Sequence, residues 1–285
     1  MIRIAVPNKG RLADAALELL EQAGYADTTR GDRALQADLG DEVQAVFVRA
    51  RDIAEFVDDG VVDLGVTGRD LVAEAGRELT ELLDLGFGRC RMVLAARDGV
   101  TTEMALAGAM RVATSFPRTA ARWFAERGAV PSIVPVSGAA EIAPHMGVAD
   151  VIVDLVGTGS TLRVNGLREV ETLFESTAVL VTRADTVADP ARGRAIGEIV
   201  GALESVLRAR DKRYLMANVR RDTLEEVKTI LPGISGPTIV EVLDGGEHVA
   251  AHAVVDRRDV PRVVASLKRI GAEGILVTRI ERLMP

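Results

Sequence analysis

The chain has 285 residues, 48% hydrophobic and 27% charged, a length and balance that suit a folded protein of two or three domains and exclude a disordered one. Its 35 basic against 42 acidic residues leave a net charge of −7, and aromatic residues make up only 3%, which argues against nucleic acid as a partner. No stretch approaches the roughly 18 to 20 uninterrupted apolar residues of a membrane span, and Met1 to Val6 lead directly into a strand-like segment without a secretory signal, so a cytoplasmic location away from membranes is expected.

Ile2 to Val6 reads as a strand and Pro7-Asn8-Lys9-Gly10-Arg11 as the loop after it. Leu12, Ala16, Leu19, Leu20 and Ala23 then recur at helical spacing up to Gly24, a C-terminal cap. The unit repeats: Val43 to Val48 ends at Arg49-Ala50-Arg51-Asp52 before a helical Ile53 to Val57, and Val61 to Val66 ends at Thr67-Gly68-Arg69-Asp70 before another helix. Such alternation predicts parallel sheets with helical crossovers and ligands at the strand C-terminal ends. Leu85-Gly86-Phe87-Gly88 reads as a crossing into a second α/β set, made of Arg91 to Ala96, Arg111 to Thr114, a helix over Ala120 to Arg127, Ile133 to Val136 and Val151 to Val156. Val179 to Asp185 is the expected return strand, followed by a helix around Ile196 to Leu207. The expected lobes are therefore 1–90 joined by 184–211, and 91–183, with a ligand cleft between them. Cys90, the only cysteine, is expected as a buried strand thiol, and the scattered His145, His248 and His252 argue against a His/Cys metal site.

Within the second set, Asp150 to Leu162 carries the most chemistry. An apolar strand over Val151 to Val156 breaks at Asp154 and runs into Gly157-Thr158-Gly159-Ser160-Thr161, a loop of backbone N–H groups and hydroxyls. Such a loop suits phosphate, and a carboxylate beside it suits ribose hydroxyls. An ordinary strand-to-helix turn with a hydroxyl cap fits the same string. The tail, 212–285, reads as strand, helix, strand, strand, helix, strand, the order of a ferredoxin-like module, with Asp244-Gly245-Gly246-Glu247 as a turn between its middle strands. It fits either a regulator or an oligomerisation surface.

Four strings in order, Pro7-Asn8-Lys9-Gly10-Arg11-Leu12, Asp63-Leu64-Gly65-Val66-Thr67-Gly68, Asp84-Leu85-Gly86-Phe87-Gly88 and Asp154-Leu155-Val156-Gly157-Thr158-Gly159-Ser160-Thr161-Leu162, resemble the ATP phosphoribosyltransferases that begin histidine biosynthesis. The tail is similar to the regulatory domain of that family's long form. The resemblance implies a two-lobed periplasmic-binding-protein-like catalytic part and a C-terminal ferredoxin-like regulatory domain. It also implies a reaction in which adenine N1 of ATP displaces pyrophosphate from 5-phosphoribosyl 1-pyrophosphate, with Mg2+ accompanying the pyrophosphate. By that pattern Asp154, Leu155, Gly157, Thr158, Gly159, Ser160 and Thr161 hold the phosphoribosyl substrate, and Lys9, Gly10, Arg11, Arg49, Asp70 and Glu141 form the ATP side. Asp154, Lys9 and Glu141 are the candidate catalytic groups. Read from the residues alone, Arg11 and Arg51 could also face solvent, and Asp70 and Glu141 could be acids placed at helix starts. The long form is inhibited by L-histidine and assembles as dimers and hexamers, which places Asn218, Ser235 and Thr238 at an effector pocket. Asn218 departs from members with an acid there, and can only hydrogen-bond an amino group. A non-catalytic two-lobed small-ligand-binding protein, or an amino-acid sensor, is the alternative reading.

Overall fold

The computed structural model describes residues 1–26, 34–40, 42–108, 110–234, 236–242 and 246–284. Its contacts divide the chain into two units, Met1–Val200 and Gly201–Pro285.

Among the described residues the first unit contains two sheets. One has the order β2 (Gln36–Asp38), β3 (Val43–Val48), β1 (Ile2–Pro7), β4 (Leu64–Gly68), β11 (Ala178–Thr182), β5 (Thr80–Asp84). The other has the order β10 (Arg168–Ser176), β6 (Cys90–Ala96), β9 (Val151–Val156), β7 (Arg111–Thr114), β8 (Ser132–Pro135). Helices α1 (Arg11–Gln22), α2 (Ile53–Asp58), α3 (Arg69–Ala75), α4 (Thr102–Ala107), α5 (Pro117–Ala125), α6 (Ser160–Val164) and α7 (Ala184–Ala188) connect the strands. The long α8 (Pro190–Ala209) carries the chain across the division between units.

The central strands are buried on both faces, as their continuous apolar sequences require. In the second sheet Met92, Leu94, Val151 and Val153 pack with Phe116, Trp123 and Phe124 on one side. Their neighbours Val93, Ala95 and Ile152 pack with Ala140 and Leu162 on the other. Helix α1 turns Ala13, Ala16, Leu19 and Leu20 inward at helical spacing, and Gly24 ends it with φ of 91°.

The sheets are mixed, not parallel as the alternation of elements predicts. β1 runs parallel to β3 and β4, and β7 to β8 and β9, but β11 is antiparallel to β4 and β5, and β6 to β9 and β10. The reason lies in the two crossings. β5 leads directly into β6 of the other sheet and β10 leads directly back into β11, so these strands arrive without a helical crossover to enforce parallel pairing.

The second unit has one antiparallel sheet, ordered β13 (Thr238–Glu241), β14 (His248–Asp256), β12 (Lys212–Arg220), β15 (Glu273–Arg279). With α9 (Leu224–Ile230) and α10 (Val260–Arg269) this is the ferredoxin-like order. Leu215, Ala217, Val219, Val249, Ala251 and Val255 pack against Val227, Leu231, Val263 and Leu267 of the helical layer. By strand alternation Tyr214, Met216 and Asn218 take the opposite face. Of the expected turn, Asp244 and Gly245 lie outside the described residues.

Candidate active site

Strand β9 supplies the first functional carboxylate. Its pairing with β7 ends at Val153, so Asp154 is the first residue to pass beyond the end of that neighbour. The side chain is half-buried, and Asp154 Oδ1 accepts from its neighbour's Leu155 N at 2.8 Å. Burial pushes this carboxyl above the ordinary carboxylate range, the Leu155 N–H opposes the shift, and the charge of Glu141 adds to it. Glu141 sits in a single 3₁₀ turn, Ala140–Ile142. The preceding Ala139 has φ of 52°, a left-handed conformation that costs a non-glycine residue on the order of 1 kcal/mol.

After Val156 the chain makes the loop Gly157 to Thr161, and Ser160 opens α6. Gly159 has φ of 75°, and a Cβ there would lie 3.0 Å from Glu169 Oε1 and 3.2 Å from Arg163 Nη1, so the position requires glycine. Thr158 Oγ1 and Ser160 Oγ are 3.0 Å apart. Two loop carbonyls are tied to guanidinium groups: Arg91 Nη1 donates to Gly157 O at 3.2 Å and Arg163 Nη1 to Thr158 O at 3.4 Å. Arg91 is itself paired with Glu169. These three charged side chains stand outside the strings that single out the loop in the sequence. No spacing rule links β6, α6 and β10, so nothing in the sequence pointed to them.

Lys9, Gly10 and Arg11 follow β1, and Arg49 follows β3; the register Pro7↔Val48 brings the two strand ends level. Asn8 N donates to Val48 O at 2.8 Å and ties the loops together. Lys9, Arg11 and Arg49 are exposed and make no ion pair among the described residues, whereas Arg69 is engaged by Glu81 and Asp84. Arg11 also faces the loop of the other sheet: a Cβ on Gly157 would lie 3.9 Å from Arg11 Nη1.

Asp70 does stand in the first turn of α3, as the helix-start reading has it, but it is buried there. It is 6% exposed, its Oδ1 accepts from Ser176 Oγ at 2.6 Å, and its own N–H donates to Ser176 Oγ at 3.0 Å. Burial raises its pKa, while Ser176, its own backbone N–H and the charge of Arg11 pull the other way. Ser176 is a further residue missed in the sequence, since it closes a strand 106 positions away. Beside it opens a pocket of about 420 Å³ lined by Arg89, Cys90, Arg91, Gly157, Ser176 and Thr177. Cys90 is therefore not the buried strand thiol expected. It is half-exposed on the pocket wall, and burial followed by the charge of Asp70 pushes its pKa up, which keeps it a poorly reactive thiol.

In the second unit, Asn218 and Thr238 share the face of the sheet turned away from the helices. Strand β14 lies between them: Asn218 pairs with Ala250, while Thr238 pairs with His252. Within one chain they do not converge. Ser235 lies outside the described residues. Among the described residues no group of three or more His, Cys, Asp or Glu is arranged to hold a metal, and no helix is long and apolar enough to cross a membrane.

The site has relatives. The family model described as ATP phosphoribosyltransferase matches residues 49–205, and the one described as HisG, C-terminal domain, matches residues 209–282. ATP phosphoribosyltransferases of Gemmatimonas aurantiaca and Natronomonas pharaonis are 55% and 48% identical to this chain, each covering 100% of both sequences. A chain in the solved ATP phosphoribosyl transferase (HisG:HisZ) complex from Thermotoga maritima superposes with a TM-score of 0.63 at 27% identity, covering 72% of this chain and 99% of that one. With one family model over more than half its length and relatives of 55% and 48% identity along the whole of it, this chain belongs to the ATP phosphoribosyltransferase family.

Proposed function

We propose that the cleft between the two sheets of the first unit is where the family's reaction takes place, and that Asp154 with the loop Gly157 to Thr161 holds the phosphoribosyl half. The enzyme is a pentosyltransferase of histidine biosynthesis. Adenine N1 of ATP uses its lone pair to form a bond to C1 of 5-phosphoribosyl 1-pyrophosphate. The C1–oxygen bond breaks, its electron pair leaves with pyrophosphate, and N1-(5-phosphoribosyl)-ATP results.

Adenine N1 needs no base to become a nucleophile, so positioning dominates the chemistry. As the bond breaks, positive charge develops on the ribose and negative charge on the departing pyrophosphate. Asp154 answers the first demand, accepting hydrogen bonds from the ribose hydroxyls from a half-buried position where its field is less screened. Leu155 contributes its N–H to hold that carboxylate. The N–H groups and hydroxyls of Gly157 to Thr161 receive the 5-phosphate. On the ATP side, Lys9, Gly10, Arg11 and Arg49 offer unpaired cations and an exposed backbone to the polyphosphates. Glu141 accepts the proton that N1 alkylation makes acidic, and Asp70 braces the wall of the cleft. Magnesium enters with the pyrophosphate as a substrate ion, held mainly by substrate oxygens and water.

The reading extends to the tail. Residues 1–90 with 178–211 form one catalytic lobe and 91–177 the other, because β11 (Ala178–Thr182) pairs with β4 and β5 and so moves the second lobe's end back from the expected 183, and 212–285 form the regulatory domain of a cytoplasmic enzyme. L-histidine inhibits through Asn218, Ser235 and Thr238, and the enzyme forms dimers and hexamers. The open sheet face supports this: Val240 and Leu276 are 47% and 54% exposed there beside Met216, an apolar surface suited to a second copy.

The observation that carries the catalytic reading is the carboxylate of Asp154 at the exit of β9, immediately before a glycine-rich loop braced by guanidinium groups. Mixing the protein with ATP, 5-phosphoribosyl 1-pyrophosphate, magnesium and pyrophosphatase should change the adenine near-ultraviolet spectrum, and L-histidine should suppress the change. Asp154→Asn should lower kcat on the order of 100-fold with an unaltered circular dichroism spectrum. A folded wild-type protein that binds both substrates without turnover would return the chain to the binding-protein alternative.

A further inference from the structure

Within the loop Gly157 to Thr161, Thr158 Oγ1 lies 3.0 Å from Ser160 Oγ and accepts from Ser160 N at 3.5 Å, but neither contact fixes the Gly157–Thr158 or Thr158–Gly159 peptide groups. Gly157 and Gly159 are the two residues with the widest backbone freedom, and the helix that follows is only five residues long. A phosphate needs the N–H ends of those peptides, and a carbonyl turned towards it repels it. Something outside the loop must therefore choose which way the peptides face.

Two guanidinium groups make that choice. Arg91 Nη1 donates to Gly157 O at 3.2 Å, and Arg163 Nη1 to Thr158 O at 3.4 Å. All described peptides are trans, and in a trans peptide the carbonyl and the following N–H point in opposite directions. Holding these two carbonyls on the cations therefore turns the N–H groups of Thr158 and Gly159 to the other side. Neither N–H donates to any group among the described residues, so both are free for a ligand.

Arg91 is held in turn by Glu169. Arg91 Nε donates to Glu169 Oε2 at 2.8 Å and Arg91 Nη2 to Glu169 Oε1 at 2.5 Å, a two-point fork with Nη1 on the side of the loop. The same Glu169 Oε1 would lie 3.0 Å from a Cβ on Gly159, so the carboxylate also borders the turn. Both side chains are about one-third exposed, so as an ordinary surface ion pair they would contribute little to stability.

We propose that Arg91 and Glu169 are positioning residues for phosphoribosyl pyrophosphate, acting as one unit: Glu169 aims the Arg91 guanidinium, and Arg91 holds the Gly157 carbonyl so that the loop presents its N–H groups to the 5-phosphate. This rests on the assignment of the loop to that substrate.

The test is steady-state kinetics on the full-length enzyme with Arg91→Lys, Glu169→Gln and the double variant, varying each substrate separately. A lysine keeps the charge of Arg91 but lacks the planar fork that grips both oxygens of Glu169 while a third nitrogen donates to Gly157 O. Each single variant should raise KM for 5-phosphoribosyl 1-pyrophosphate about tenfold, leave KM for ATP within about twofold, and lower Tm by no more than the few degrees expected of a surface pair. The double variant should be no worse than either single one, because the two residues act through one contact.

Glu169→Gln separates positioning from direct binding. If Arg91 met the pyrophosphate itself, neutralising its partner would leave that KM unchanged or lower it, and the proposal would be overturned. Unchanged KM values in both variants, or equal rises for the two substrates, would also overturn it. Wild-type protein without turnover would instead remove the assigned reaction, a distinguishable failure.

Discussion

Burial penalises the charged form of Asp154 and lifts its pKa in the folded state, with Glu141 adding to the effect. The folded protein therefore binds the proton more tightly than the unfolded chain does. Between the unfolded and the folded pKa stability falls as pH rises, and above the folded pKa the full penalty remains. Asp154→Asn should consequently raise Tm at about pH 7 while it lowers kcat, and the gain in Tm should shrink towards about pH 4, where the aspartate takes up its proton in both states. Calorimetry of the pair at the two pH values checks this; a variant no more stable than wild type at neutral pH would show that burial is not the dominant influence. Ser176→Ala makes the opposite prediction, since it leaves the buried Asp70 without its Oγ donor at 2.6 Å. A loss of about 1–3 kcal/mol in denaturant unfolding is expected. The sequence revealed Asp154 because an acid interrupting an apolar strand before glycines is a local pattern. It concealed Ser176, Arg91 and Glu169 because each acquires its role only through a partner far along the chain.

Among the elements, α5 has a cap that no local rule supplies. Its N-cap residue is Phe116, with no side-chain oxygen to offer, and Pro117 opens the helix. The carboxylate comes instead from α3: Glu74 Oε1 accepts from Arg118 N at 3.0 Å and Oε2 from Thr119 N at 2.9 Å. In return, Arg118 Nη1 donates to Ala75 O at 2.6 Å at the C-terminal end of α3. Anion meets helix start and cation meets helix end, so each helix dipole is answered by the other. Glu74→Ala should cost about 1–2 kcal/mol, and hydrogen exchange should accelerate at the Arg118 and Thr119 amides ahead of the rest of α5. The strands legible in the sequence were those buried on both faces, such as β7 and β9, whose apolar runs match their structural bounds. β5 and β10 were not recognised. Their sequences, Thr-Glu-Leu-Leu-Asp and Arg-Glu-Val-Glu-Thr-Leu-Phe-Glu-Ser, are charged and lie at the edges of the two sheets, where one side faces no further strand.

For the whole molecule, the proposed response to L-histidine should be visible as mass. Light scattering of the full-length protein should show a larger assembly when histidine is added, at concentrations that also suppress turnover. Asn218→Asp, which restores a charge partner for an amino group, should move both responses to lower histidine concentration, and a shift of neither would remove Asn218 from the effector pocket. The two-lobed plan was legible from the order of strands and helices. The antiparallel returns were not, because periodicity identifies a strand without identifying its neighbours. Those returns have a mechanical consequence. The two crossings are laced to each other: Leu85 N donates to Ala178 O at 2.9 Å, Ala178 N to Phe87 O at 2.9 Å, and Thr177 Oγ1 to Phe87 O at 2.9 Å. Together with the pairs β5–β11 and β6–β10 they form a two-stranded ribbon running from one sheet to the other. Such a ribbon bends across its flat face more readily than it shears or splays, because bending preserves the rungs while the other motions break them. It is therefore a hinge with one easy axis, and since Arg89, Cys90, Ser176 and Thr177 line a pocket along it, a ligand seated there bears directly on the angle between the sheets.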